Sequence, residues 1–116
     1  MESQIRIFFV GDIVGKPGRK IISRLLPEFR LKKDIHFVVA NGENAAGGKG
    51  LTQAVAGDLF RHGVDVLTGG NHIWSNKEIF GFIGNEPRVL RPANYPPLPE
   101  IPGYGYGVFN VPKTDW

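Results

Sequence analysis

The sequence predicts an α/β protein with a mainly parallel sheet, and two features of its 116 residues carry that prediction. Apolar, β-branched runs of strand length occur at Ile5–Val10, His36–Ala40 and Val64–Thr68. These runs start about 30 residues apart, and the segments between them have apolar residues at helical spacing, which is the repeat of a right-handed βαβ unit. The nearly continuous apolar run Ile5–Val10 is typical of a strand buried on both faces.

Both segments between these strands carry helix signals. Pro17 suits the first turn of a helix that continues to about Lys33, and Pro27 is expected to kink that helix or end it early. In the second segment, Thr52 is a candidate N-cap and Gly63 is a candidate residue just past the C-terminus. Two helices alternating with three strands give the order βαβαβ.

The remainder of the chain has weaker signals. Ser75 and Glu78 have the spacing of a capping box ahead of another helix, and Val89–Leu90 is a short strand candidate. The segment 92–104 is rich in proline and glycine and predicts irregular structure, and Tyr106–Val111 is the last strand candidate. We interpret the whole chain as a single, incomplete domain, because it stops soon after that candidate without a closing helix.

Composition excludes several classes of protein. The absence of cysteine removes disulfide frameworks, thiolate metal sites and cysteine nucleophiles. No apolar run has the length of a membrane helix and the N-terminus lacks signal-peptide features, so we predict no membrane partner and a cytoplasmic location. The net charge of +3 is weak evidence for an anionic partner, since its basic residues are scattered. Six of them are expected on a solvated helix face: Arg19, Lys20, Arg24, Arg30, Lys32 and Lys33.

Polar side chains follow each of the three predicted strands. Parallel strands bring their carboxyl ends to one edge of a sheet, so these side chains are expected to meet in one crevice. Each group is flanked by a glycine, which permits a sharp turn. Carboxylates, amide oxygens and an imidazole suit manganese, iron, magnesium or zinc. The residues are Asp12 after the first strand, Asn41, Glu43 and Asn44 after the second, and Asn71 and His72 after the third.

Each of these residues also has a structural interpretation. Asp12 can cap the following helix, and asparagine is common in turns. The coincidence of similar chemistry at three strand ends favours a site. His36 and His62 lie away from the predicted crevice and are assigned structural or solvent-facing roles. The glycine-rich stretch 42–50 is not a phosphate loop of the G-x-x-x-x-G-K-[ST] kind, because glycine follows its Gly-Lys pair.

Four stretches are distinctive when taken together. They are residues 11–19 (GDIVGKPGR), 41–52 (NGENAAGGKGLT), 70–74 (GNHIW) and 91–96 (RPANYP). In their order and spacing they resemble the YmdB-type branch of the calcineurin-like metallophosphoesterases, and the resemblance covers most of the chain. It implies the αββα sandwich of that family, of which this chain would form the βαβαβ half with its mainly parallel sheet and flanking helices.

The resemblance also implies a bacterial phosphodiesterase that uses two metal ions, iron or manganese, and accepts cyclic nucleotides, notably 2′,3′-cyclic ones. Carried over position by position, it implies that Asp12 binds one metal and that Glu43 bridges both. Asn44 would lie at the first metal and Asn71 would bind the second. His72 would donate a proton to the leaving oxygen.

The sequence departs from that family in length. Family members are considerably longer, and their second half supplies further histidine ligands and the second sheet. We therefore expect the chain to be the N-terminal half of such an enzyme, to bind metal weakly or not at all, and to be inactive alone. Exposed sheet edges predict a homo-oligomer. A rival hypothesis is a non-catalytic module that binds nucleotides, RNA ends or a regulatory partner.

Overall fold

The computed structural model describes residues 4–96 and 101–116 and contains a four-stranded sheet. All neighbouring strands are parallel, and they lie side by side in chain order. The strands are β1 (Ile7–Val10), β2 (Phe37–Asn41), β3 (Val66–Thr68) and β4 (Val89–Leu90). The helices are α1 (Gly15–Lys32), between β1 and β2, and α2 (Gln53–Arg61), between β2 and β3. Short 3-10 helices connect β3 to β4 at Asn71–Trp74, Lys77–Gly81 and Ile83–Asn85. The predicted α/β class and parallel sheet are confirmed.

The hydrophobic core lies between the sheet and the two helices. Val38, Ala40 and Leu67 have no exposed surface, and one face of each helix packs on them. The helices contribute Ile22 and Leu26 from α1, and Ala56 and Leu59 from α2. Because strand side chains alternate between the two faces of a sheet, both helices cover the same face.

The other face of the sheet is largely open at β1. Ile7 is 64% exposed and Phe9 is 60% exposed, whereas Phe8 points the other way and packs against Phe29 of α1, with ring centroids 4.8 Å apart. The prediction that Ile5–Val10 is buried on both faces is therefore wrong. The reason is that β1 is an edge strand and the helices cover one side only.

Helix boundaries follow the predicted capping signals in part. The Thr52 hydroxyl accepts a hydrogen bond from the Val55 N–H at 3.3 Å, and Gly63 follows α2 with a φ of +114°. Both predictions are confirmed. The expectation of an early end at Pro27 is wrong, since α1 continues to Lys32. Pro27 is exposed, so the carbonyl that loses its helical donor lies on the solvent side.

The predicted capping box after β3 does not form. Asn76, not Ser75, is the N-cap residue, and its side-chain oxygen accepts from the Glu78 N–H at 3.0 Å. The Glu78 carboxylate accepts instead from the backbone N–H of Gln53 at 2.9 Å, at the start of α2. Three short 3-10 helices stand where a longer helix was expected, and the Glu78 side chain joins them to the start of α2.

No strand forms at Tyr106–Val111, so that prediction is wrong. The segment has no neighbouring strand to pair with, and Val108 is 96% exposed. Just before it, Tyr104 forms an isolated bridge to Leu90 of β4. In the predicted irregular segment 92–104, residues 92–96 form turns and residues 97–100 lie outside the described residues. No helix among the described ranges is long and apolar enough to cross a bilayer.

Two arginines that the sequence placed on a solvated helix face are in fact bonded to the rest of the fold. The Arg19 guanidinium donates to the Ala45 carbonyl at 2.6 Å. The Arg30 guanidinium forms an ion pair with Asp65 at 2.9 Å and donates to two backbone carbonyls. Both side chains cross from α1 to a loop beside the sheet, which helical periodicity alone does not reveal.

Candidate functional site

The loops at the carboxyl end of the sheet are tied together by backbone hydrogen bonds. The Gly42 N–H donates to the Thr68 carbonyl at 2.9 Å, which extends the ladder between β2 and β3 by one residue. The Ile13 N–H donates to the Asn41 carbonyl at 3.2 Å. The Gly15 N–H donates to the Asn44 carbonyl at 2.9 Å. The turns after β1, β2 and β3 therefore hold their side chains in one place.

Asn44 connects Asp12 to His72 through its side-chain amide. Its Nδ2 donates to both carboxylate oxygens of Asp12 at 3.0 Å. A carboxylate only accepts hydrogen bonds, so the amide nitrogen must face Asp12 and the amide oxygen must face the other way. That oxygen lies 2.7 Å from Nδ1 of His72. Asn44 is 8% exposed, and its conformation is fixed by this pair of contacts.

The contact with Asn44 defines how the His72 ring is used. Because Nδ1 faces an amide oxygen, Nδ1 carries a hydrogen and donates it. The neutral ring then has its lone pair on Nε2, and the protonated ring carries its second hydrogen there. The His72 side chain is 38% exposed, so the ring is held by the fold on one side and is accessible to a ligand on the other.

Glu43 is held at both carboxylate oxygens. Oε1 accepts from Nδ2 of Asn41 at 3.2 Å, and Oε2 accepts from the backbone N–H of His72 at 3.0 Å. The carboxylate also lies directly against the backbone of Gly70, where a Cβ atom would be 2.6 Å from the carboxyl carbon. With 15% of its side chain exposed, Glu43 is mostly buried in the crevice.

The two carboxylates of this cluster are held by amide and backbone N–H donors, which are neutral. In residues 4–96 and 101–116, no Lys or Arg forms an ion pair with Asp12 or Glu43. The nearest ionisable partner is Nδ1 of His72, 3.8 Å from Oε2 of Glu43. The cluster therefore concentrates negative charge that neutral amide donors hold in position but do not neutralise.

Asn41, which was expected in the crevice, bonds to Glu43 there. Of the five residues to which the resemblance assigns a role, the structure brings together four: Asp12, Glu43, Asn44 and His72. The fifth, Asn71, begins the first 3-10 helix beside them and is exposed, and its side chain is not part of the hydrogen-bonded cluster. His36 and His62 lie outside the cluster. His36 Nδ1 accepts from the Arg6 N–H, and His62 lies at the end of α2 near the Asp58 carbonyl.

Sequence reasoning missed two arginines at this end of the sheet. Arg19 holds the carbonyl of Ala45 in the loop after β2. Arg91 follows β4 directly and is 9% exposed, with Nη1 bonded to the Pro92 carbonyl and Nε unpaired. The strand-end rule that found the other residues applies equally to Arg91, because β4 ends at Leu90.

The residues suit a metal ion in chemistry but fall short in number. The cluster offers two carboxylates, the amide oxygens of Asn44 and Asn71, and one imidazole, which are ligands of hard and borderline cations. In the described part of the chain, however, no three His, Asp or Glu side chains group closely enough to hold an ion by themselves. The described residues therefore offer candidate metal ligands but not a complete set of them.

A four-stranded parallel sheet with flanking helices is consistent with the metallophosphoesterase fold. Comparison with known proteins identifies the family. Residues 8–115 match the family model described as YmdB-like protein, and the chain belongs to that family. The resemblance noted in the sequence is thereby confirmed.

The relatives are phosphoesterases by name and are longer than this chain. A Bacillus subtilis protein named 2′,3′-cyclic-nucleotide 2′-phosphodiesterase is 49% identical over 92 residues, which are 79% of this chain and 35% of that protein. The chain spans about a third of the length of the curated relatives it matches.

Two solved structures share the fold. A Thermus thermophilus protein described as hypothetical has a TM-score of 0.83 at 40% identity, covering 93% of this chain and 41% of its own. A Mycoplasma pneumoniae protein described as a novel phosphatase has a TM-score of 0.76 at 36% identity. That match covers 81% of this chain and 34% of the Mycoplasma pneumoniae chain. The fold assignment thus rests on homologues as well as on topology.

Proposed function

We propose that the chain forms part of a metal-dependent phosphodiesterase that hydrolyses cyclic nucleotides, with 2′,3′-cyclic nucleotides as the substrate class. The observation that supports this most strongly is the linked set Asp12, Asn44 and His72, in which one amide joins a carboxylate to an imidazole. The name of the Bacillus subtilis relative supports the substrate class.

In this proposal the oxygen ligands would hold two metal ions, iron or manganese. Asp12 and Asn44 would be ligands of the first ion, Asn71 of the second, and Glu43 of both. Such ions supply positive charge that stabilises the phosphoryl oxygens during displacement. Asn41 and the backbone N–H of His72 keep the Glu43 carboxylate turned into the crevice.

His72 acts as the proton donor to the leaving oxygen. A water molecule forms the new bond to phosphorus and loses a proton to solvent while the bond from phosphorus to the leaving oxygen breaks. The leaving oxygen takes the bonding electron pair and the proton from Nε2. Asn44 keeps Nε2 directed away from the protein because its amide oxygen accepts the hydrogen on Nδ1. An imidazole exchanges protons near neutral pH, which suits this role.

We further propose that the 116 residues are inactive alone and act within a longer protein. One support is that the described residues offer too few ligands to hold a metal ion by themselves. The other is that the Bacillus subtilis relative is about three times as long as the matched segment. Homo-oligomers and a cytoplasmic location are part of the same proposal. The oligomer contact is the open face of the sheet at β1, with Ile7 and Phe9 as the apolar contact residues.

The test is a chimaera in which this chain replaces the matching segment of the Bacillus subtilis relative. We expect the chimaera with Mn²⁺ to hydrolyse a 2′,3′-cyclic nucleotide. His72→Ala is expected to lower kcat by about 10² to 10⁴ while Mn²⁺ content stays unchanged, since the side chain only moves a proton. His62→Ala is the matched control. A His72→Ala chimaera with full turnover would refute the assigned role.

A second candidate function is binding of RNA ends or nucleotides without catalysis. It is favoured by the incomplete ligand set of the described residues together with the net charge of +3. Titration of the chain with RNA at several salt concentrations tests it, because phosphate contacts predict an affinity that falls steeply with salt. An absence of binding at low salt would remove this candidate.

A further inference from the structure

Glu43 is the most tightly held carboxylate of the cluster. We propose that Asn41 and Gly70 are positioning residues that set the Glu43 carboxylate in its ligand geometry before any metal arrives. The inference rests on the proposed function, because it assigns these residues to metal binding. The claim that the Glu43 side chain is fixed does not depend on that function and is measured separately.

Asn41 makes two different contacts with Glu43. Its Oδ1 accepts from the backbone N–H of Glu43 at 3.2 Å, which closes a turn at the end of β2. Its Nδ2 donates to Oε1 of the same residue at 3.2 Å, and this second bond orients the carboxylate. As the last residue of β2, Asn41 is fixed by the sheet register, where it lies opposite Thr68 of β3.

Gly70 supplies space rather than an unusual backbone conformation. Its φ of -139° and ψ of -154° are extended values that other residues also adopt. A Cβ atom at this position would instead overlap the Glu43 carboxylate, 2.6 Å from its carboxyl carbon. Any side chain at Gly70 therefore has to push Glu43 out of its present position, or move the backbone N–H of His72 that binds Oε2.

These contacts leave the carboxylate usable as a ligand. A carboxylate has about four lone-pair positions, and the two donors occupy one on each oxygen. One position on each oxygen stays open, as a carboxylate that bridges two cations requires. Fixing the side chain in advance removes the entropic cost of ordering it when metal binds.

The decisive variant is Asn41→Asp in the 116-residue chain. Aspartate keeps the oxygen that closes the turn but replaces the Nδ2 donor with a second negative oxygen beside Oε1. Side-chain scalar couplings of Glu43, measured by NMR without metal, are expected to show one rotamer in the parent chain and averaging in Asn41→Asp. Asn85→Asp is the matched control, because Asn85 is exposed and the charge change is the same.

Gly70→Ala tests the space requirement, with Gly84→Ala as its control, since a Cβ at Gly84 meets nothing within 4 Å. We expect Gly70→Ala to displace Glu43 and weaken Mn²⁺ binding by about tenfold or more, observed as loss of paramagnetic broadening at Asp12 and Glu43. Gly84→Ala is expected to match the parent chain in both measurements. The amide spectrum of each variant reports whether it is folded.

The outcomes separate the inference from the proposed function. Glu43 couplings that are averaged in the parent chain, or that stay unchanged in Asn41→Asp, would overturn the inference whatever the metal result. A fixed Glu43 that loosens in Asn41→Asp supports it. The proposed function fails separately, if the chimaera hydrolyses no 2′,3′-cyclic nucleotide with Mn²⁺, and in that case the positioning of Glu43 by Asn41 still stands.

Discussion

The carboxylates at the two ends of the parallel sheet have different hydrogen-bonding partners. At the amino end, each carboxylate in an ion pair has an arginine: the pairs are Arg6–Asp34 at 3.2 Å, Arg30–Asp65 at 2.9 Å and Arg88–Glu86 at 2.9 Å. At the carboxyl end, Asp12 and Glu43 are bonded by neutral amides, and among the described residues no Lys or Arg pairs with them.

We interpret the difference as one between residues that stabilise the fold and candidate ligand-binding residues. A paired carboxylate has its charge compensated within the chain, so its contribution is already made when the chain folds. The negative charge of a carboxylate cluster without such a pair is compensated by solvent or by a bound cation. Neutral hydrogen-bond donors fix the geometry of these carboxylates but do not cancel their charge. Predictions from this comparison concern how stability and binding divide between the two ends.

The largest expected effect is on stability and comes from Arg30→Met at the amino end. This change leaves Asp65 charged and without its arginine partner, and it removes the hydrogen bonds that Arg30 donates to the carbonyls of Gly63 and His36. Both side chains of the pair are 21% exposed, so solvent compensates only partly. We expect the free energy of unfolding to fall by about 3 kcal/mol in urea denaturation.

Arg61→Met is the control for that prediction. Arg61 also forms an ion pair, with Asp58 at 3.1 Å, but its side chain is 70% exposed. Solvent screening makes such a pair worth under about 1 kcal/mol. Equal losses in the two variants would contradict the view that the Arg30 pair is a structural element of the amino end.

The second prediction compares the same substitution at the two ends. Asp12→Asn is expected to change the metal-free free energy of unfolding by less than about 1 kcal/mol, because Asp12 is exposed and Asn can still accept from Asn44. Asp65→Asn, the matched variant, is expected to cost about 2 kcal/mol because it weakens the contacts with Arg30 and with the Val38 N–H.

Added Mn²⁺ sharpens this second comparison. In the chimaera, the metal is expected to raise the melting temperature of the parent and of Asp65→Asn, but not that of Asp12→Asn, since a ligand stabilises only a fold that binds it. Thermal denaturation with and without Mn²⁺ measures both. A large loss of metal-free stability in Asp12→Asn would place Asp12 among the structural carboxylates instead.

The βαβαβ succession of elements along the chain and the carboxyl-end cluster could be predicted from sequence, because both depend on local signals. Apolar runs at Ile5–Val10, His36–Ala40 and Val64–Thr68 mark the strands, and glycine with a polar residue marks each strand end. Parallel topology then gathers those ends without knowledge of any distance. The grouping of Asp12 and Glu43 near one imidazole follows from that rule.

Features that depend on contacts between distant elements could not be predicted in this way. Arg19 and Arg30 have ordinary helical spacing, and only the fold shows that their side chains reach Ala45 and Asp65. Exposure of Phe9 depends on which face of the sheet the helices cover, which the apolar run does not encode. The roles of metal ligand and proton donor remain predictions carried by the family resemblance.

The smallest expected effect concerns Glu86, which lies just before β4 and receives two side-chain hydrogen bonds from Arg88. These bonds, opposed by partial burial, lower the pKa of Glu86 below its usual value of 4.5. A lowered pKa in the folded chain means that the stabilisation is present above pH 4.5 and is lost as the pH falls through the folded value.

Glu86→Gln isolates that contribution, because Arg88 keeps its position 3.9 Å above the Phe60 ring. We expect the variant to lose about 0.5 kcal/mol of unfolding free energy at neutral pH, where the carboxylate is charged, and to approach the parent chain in acid, where the parent carboxyl is protonated. Urea denaturation across this pH range measures the difference. A loss that is constant with pH would mean that Glu86 contributes by packing and not by its charge, and the amino end would then hold fewer structural ion pairs than its geometry indicates.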